Sequence, residues 1–87
     1  MFGQADTGSI SGSVIDAGNA AIAGAQVEAK QTESGLTLRT VSSDAGLYVF
    51  PNVPVGHYTV TAEKTGFKRI VRENIEIRIA QRQALDL

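Results

Sequence analysis

The stretch from Asp44 to Val60 constrains this chain more than any other part of it. Asp44-Ala45-Gly46 reads as a turn, Leu47 to Phe50 as a short strand, and His57 onward as a second strand. Pro51 and Pro54 bracket the connection between them, and Gly56 closes it. Alternation puts Tyr48 and Phe50 on one face of the first strand. It puts Tyr58, Val60 and Ala62 on one face of the second. Two short strands with period-2 apolar faces, joined by a Pro-x-Gly turn, are the signature of a β-sandwich.

The remaining chain continues the pattern. Ser9 to Ile15 alternates, with Ile10, Gly12 and Val14 on one face and serines on the other; it reads as the first strand. Gly12 inside it marks a bulge or a close backbone approach. Asp16 to Asn19 is a turn, and Ala20 to Gly24 is a linking stretch. Ala25, Val27 and Ala29 alternate with Gln26, Glu28 and Lys30 in a second strand. Ala20 to Glu33 is rich in helix formers, but its apolar residues follow period 2 better than 3.6, and Gly24 costs a helix about 1 kcal/mol. A strand is therefore the preferred reading. Thr32 to Gly35 reads as a hairpin connection and Leu36 to Ser42 as the third strand. The fifth strand runs from His57 to Lys64, Thr65-Gly66 turns, and Phe67 to Glu73 forms the sixth. Ile75, Ile77 and Ile79 alternate again, and after a break near Ala80-Gln81 the segment Ala84 to Leu87 completes the last strand. Short strands at about ten-residue spacing, with turn residues at each break, predict an all-β, antiparallel, seven-stranded sandwich.

The 87 residues suit one small domain, and an apolar content of 43% is that of a folded chain. No apolar run reaches the ~18 residues of a membrane-spanning helix, so no direct membrane insertion is expected. With no cysteine, disulfides and Cys-based zinc sites are excluded. A net charge of −1 points to neither a polyanionic nor a polycationic partner. Residues 1–8 read as a flexible N-terminal segment, either an ordinary frayed terminus or a remnant near a signal-peptide cleavage point, ahead of a domain over 9–87. Leu87, an apolar strand residue with no polar tail, suggests a domain cut from a longer protein.

Four runs together resemble one family: Ser11-Gly12-Ser13-Val14 with Asp16; Ala21, Ala23-Gly24-Ala25 and Val27; the long run Ser43-Asp44, Gly46, Tyr48, Phe50, Asn52-Val53-Pro54, Gly56, Tyr58, Val60 and Ala62; and Gly66-Phe67-Lys68. The chain is similar over residues 9–87 to the carboxypeptidase regulatory-like domain. The resemblance implies a transthyretin-like (prealbumin-like) sandwich used as an accessory module. Its settings include metallocarboxypeptidases, surface proteins and the N-terminal extension of TonB-dependent outer-membrane receptors. The last setting fits best. It implies a secreted bacterial protein located on the periplasmic side of the outer membrane or at the cell surface.

The residues that carry the resemblance have structural readings of their own. Gly46 and Gly56 serve turns where a Cβ would clash. Tyr48, Phe50 and Tyr58 are core rings, and the Tyr58 hydroxyl suits a backbone acceptor in the manner of a tyrosine corner. Asp44 reads as an Asx-type turn residue rather than a calcium ligand, since no other carboxylate lies at calcium-loop spacing. Gly66 turns the chain, and Phe67 after it seals the end of the core.

Function classes narrow accordingly. His57 is the sole histidine, and neither a Cys nucleophile nor a Gly-x-Ser-x-Gly elbow exists, so no enzyme is expected. No metal or cofactor is expected either. Phe67-Lys68-Arg69 pairs an aromatic with two bases, as single-strand binders do, but those carry several exposed aromatics in a basic groove. Nucleic acid is therefore not expected as a partner. A cross-linked stalk domain would need a first-strand lysine and a last-strand asparagine, and both are missing. The sequence thus points to a non-catalytic module that contacts a protein partner or a neighbouring domain of its parent. Carbohydrate binding is the alternative, and it would require an exposed aromatic platform.

Overall fold

Seven strands in two sheets make up the computed structural model, which describes residues 7–78, 82–85 and 87. They are β1 (Thr7–Ser13), β2 (Gln26–Gln31), β3 (Thr37–Val41), β4 (Leu47–Pro54), β5 (Gly56–Glu63), β6 (Ile70–Ile77) and β7 (Arg82–Ala84). One sheet has the order β4-β1-β7 and the other β3-β2-β5-β6. The all-β sandwich is as the alternation predicts. The turns at Asp16–Asn19 and Thr32–Gly35 also fall where Gly, Asn and Asp supply them. In the first, the Asp16 carboxylate accepts the N–H groups of Gly18 and Ala20 at 2.8 and 2.9 Å.

The core forms where the inward faces meet. Ile10 and Val14 join Tyr48, Phe50 and Val53 from one layer, and Val27, Ala29, Tyr58, Val60 and Ile77 come from the other. The polar residue buried with them, Ser42, is satisfied twice. Its Oγ donates to the Ile22 carbonyl at 2.7 Å and accepts the Ala25 N–H at 2.8 Å. This hydroxyl ties the linking stretch before β2 to the end of β3. Ser42→Ala strands both backbone groups and is expected to cost about 1–3 kcal/mol in urea denaturation.

Several boundaries differ from the sequence reading. Thr7 and Gly8, assigned there to the leading segment, pair with Pro54 and Val53, so β1 starts two residues early and ends at Ser13. Residues 1–6, 79–81 and 86 lie outside the described residues, and with them the rest of the leading segment, Ile79 and the break near Ala80-Gln81. The bracket of Pro51 and Pro54 is not a connection, because β4 runs through both prolines. It can do so because β4 is an edge strand with a single partner, where a missing N–H leaves no ladder bond unmade. The register to β1 also slips there: two steps on β1, Gly8 to Ile10, match three on β4, Val53 to Phe50. The extra residue is a bulge at Pro51-Asn52.

Ile70–Ile77 is likewise one strand rather than two. It bends at a bulge where Tyr58 to Val60 on β5 spans Ile75 to Arg72, with Asn74 at φ 60°. The sandwich is also not wholly antiparallel, because β7 runs parallel to β1. Leu85 and Leu87 extend that contact, donating to the Ser11 and Ser13 carbonyls at 2.8 Å each. Alternation fixes which face a residue takes but not the direction of the strand, so a three-residue parallel strand leaves no mark in the sequence.

Candidate interaction surfaces

The motif run from Ser43 to Ala62 builds the interior rather than a site. Tyr48 and Phe50 lie side by side on the inward face of β4, ring centroids 6.1 Å apart at 70°. The Tyr48 hydroxyl donates to the Leu85 carbonyl, which fastens the segment after β7 to β4. Tyr58 is fully buried, and its hydroxyl donates to the Pro54 carbonyl at 2.7 Å, the tyrosine-corner arrangement expected from the sequence. Burial pushes the Tyr58 hydroxyl above its ordinary pKa, with the Glu33 charge adding to the shift. Pro54 therefore supplies an acceptor as well as a strand end.

The turn before β4 is capped differently from the expectation. The Ser43 hydroxyl, not the Asp44 carboxylate, accepts the N–H groups of Ala45 and Leu47, at 3.3 and 3.2 Å. Serine at the first turn position offers the same local acceptor as aspartate, so the two adjacent residues compete for one role. Gly46 closes the turn at φ 76° and donates to the Ser43 carbonyl at 2.8 Å. Gly66 sits in an exposed turn at φ 91°. Phe67 does not seal the core: its N–H closes that turn on Lys64 at 2.9 Å, and its ring is 46% exposed. A turn residue projects outward, whereas the sequence pattern makes Phe67 the first residue of a strand.

At the opposite end, Gln31, Glu33, Gly56 and His57 form a polar latch between the β2–β3 hairpin and the start of β5. The Gln31 side-chain amide donates to the Val55 carbonyl at 2.9 Å, and a Cβ on Gly56 would collide with that amide. His57 Nδ1 lies 2.8 Å from Glu33 Oε2, both side chains about half exposed. The hydrogen bond from His57 holds the Glu33 carboxyl below its ordinary value. A depressed carboxyl pKa contributes stability above the unfolded value, and that contribution is lost as pH falls through the folded value. Carboxylate NMR titration is expected to show Glu33 titrating lower in the native domain than in His57→Gln. Equal values would remove the latch.

Among the described residues, no group of three or more His, Cys, Asp or Glu is placed to hold a metal. Two of the surface depressions lie beside exposed apolar side chains. Val41, Leu47 and Val49 are exposed along the seam between β3 and β4, where an open depression is lined by these residues with Ser11, Thr40 and Ser43 among others. At the far end, the exposed Phe67 ring forms one wall of a shallow cleft with Ile15, Asp16, Ile22 and Lys68. Alternation already turns Leu47 and Val49 away from the face of Tyr48 and Phe50, but that they meet Val41 at one seam depends on β3 and β4 lying side by side.

The family model described as carboxypeptidase regulatory-like domain matches residues 9–87. No curated protein matches the chain. Among solved structures, the TIE protein of Bacillus anthracis superimposes with a TM-score of 0.76 at 22% identity, over 94% of this chain and 16% of that one. A proposed carbohydrate binding protein of Bacteroides uniformis gives 0.72 at 17% identity, over 92% and 40%. Hydroxyquinol 1,2-dioxygenase of Pseudomonas putida gives 0.68 at 9%, over 98% and 57%. At these identities the likeness is one of fold. The chain spans less than two thirds of each of those chains.

Proposed function

The chain belongs to the carboxypeptidase regulatory-like domain family, and on that premise we propose that it is a non-catalytic interaction module. In this reading it is the N-terminal extension of a TonB-dependent outer-membrane receptor, on the periplasmic side of the outer membrane or at the cell surface. It works by contact with a protein partner or with a neighbouring domain of its parent. The observation that carries the reading is the use of the family motif. Tyr48, Phe50 and Tyr58 are buried, and both tyrosine hydroxyls are bonded to main-chain carbonyls. The motif thus builds the scaffold, and what the scaffold offers outward is strand edges and faces.

Carbohydrate binding is the second reading, and one observation favours it: the exposed Phe67 ring beside Asp16 and Lys68. Titration of the folded domain with a panel of neutral and acidic oligosaccharides, followed by NMR, separates the two. Protein contact predicts no saturable shift of the amides around Phe67. A saturable shift that Phe67→Ala abolishes while the fold is kept would replace the first reading by the second.

A further inference from the structure

We infer that the free edge of β3 is a strand-addition site for an extended segment of a partner protein. That segment alternates apolar side chains and carries a carboxylate opposite Arg39. The inference rests on the protein-contact reading above and names the surface that makes the contact.

A two-layer sandwich with open sheets has four edges, and proteins blunt such edges with prolines, bulges, charges or shortness. Two of the four here are blunted by these devices. β4 carries Pro51, Pro54 and a bulge. β6 carries a bulge with Asn74 at positive φ, together with Arg72, Glu73 and Glu76. β7 spans three residues among the described ones, its bonds to β1 continuing through Leu85 and Leu87. The fourth edge is different. β3 pairs with β2 in unbroken register from Thr37 to Val41, ends its sheet, and contains neither proline, glycine nor lysine. Its outer row of N–H and C=O groups is a template for a further antiparallel strand.

Side chains on the same border state the chemistry of the occupant. One depression beside β3 is lined by Ser11, Thr40, Val41, Ser43, Leu47 and Val49 among others and carries no charge; a second shares Thr40 and Val41 with Glu28, Arg39, Glu63 and Arg69. An added strand would cover Leu47 and Val49 with the residues of one face and lie beside Val41 with those of the other. The one charge on β3 is Arg39, whose side chain is 77% exposed. Its Nε donates to Glu28 at 3.0 Å, and the terminal guanidinium nitrogens carry further donors for a second carboxylate. The same residue argues against a second copy of this chain. Full antiparallel pairing of β3 with itself centres on Arg39 and sets two guanidiniums opposite one another, which is unfavourable.

The test uses a synthetic peptide of alternating threonine and valine with one central glutamate, and its counterpart with a central lysine. Both are titrated into the 15N-labelled domain. The expected result is a saturable shift of the Thr37–Val41 amides, with the glutamate peptide bound about threefold or more tightly than the lysine peptide. Val41→Lys, at a residue already 59% exposed, keeps the fold and is expected to weaken binding about tenfold, as edge lysines do. Amides of β3 that stay unmoved at millimolar peptide, or shifts centred on β6, overturn the inference. If the parent protein needs the module and Val41→Lys changes nothing, the edge inference falls while protein contact stands. A module that can be deleted without effect overturns the protein-contact reading itself.

Discussion

Truncating Phe50 to alanine is expected to cost about 3–5 kcal/mol, enough to unfold most of the population of a domain this small. Phe50 is 4% exposed, lies opposite Ile10 in the β1–β4 ladder, and meets Tyr48 edge to face. Removing the ring takes away its burial, the aromatic pair and the packing of one layer on the other. A domain of 87 residues buries only about 60–65% of its unfolded surface, so it has little reserve. Chemical denaturation and one-dimensional NMR report the result directly. A Phe50→Ala variant with an unchanged midpoint would mean that the two sheets do not meet at β4.

The second large effect falls on Gly46. At φ 76° an alanine there carries the left-handed penalty of about 1–2 kcal/mol. Its Cβ would also lie 2.9 Å from the Val14 carbonyl oxygen and 2.9 Å from the Ala21 Cβ. These neighbours are backbone or stand on it, so relief requires moving the chain between β1 and β2, at a further cost of about 1–3 kcal/mol. The total is about 2–5 kcal/mol. Gly66 supplies the control, because it shares the positive φ but has nothing within 4 Å of the point where a Cβ would stand. Gly66→Ala should therefore lose only the conformational part. Equal losses at the two glycines would show that the Gly46 turn is not packed against Val14 and Ala21.

How far the sequence reaches can be read from these same residues. The inward positions of Tyr48, Phe50, Tyr58, Val60 and Ala62 follow from alternation, and the structure buries all five. The acceptor for the Tyr58 hydroxyl lies four residues back at Pro54, close enough in the chain for local reasoning to anticipate. Features that depend on a distant partner are a different matter. Whether Pro51 ends a strand or rides within one depends on β4 being an edge, and that is set by the order of strands in the sheet. The parallel β7 and the tie from Tyr48 to Leu85 depend on a return to β1 across most of the chain. Ser42 reads as an ordinary strand-end serine until the stretch before β2 is folded over it. The apolar seam of Val41, Leu47 and Val49 is also hidden, since two separate edge strands contribute to it.

The central claim is that this module serves its parent through contact, with its motif spent on the fold. For the receptor parent proposed above, the most direct measurement compares uptake in cells carrying the intact protein, a form lacking residues 7–87, and the Phe50→Ala form. Contact through a folded surface predicts reduced uptake in both altered forms, by the same amount, at equal levels of receptor in the membrane. Uptake indistinguishable from the intact receptor in the form lacking the module would contradict it.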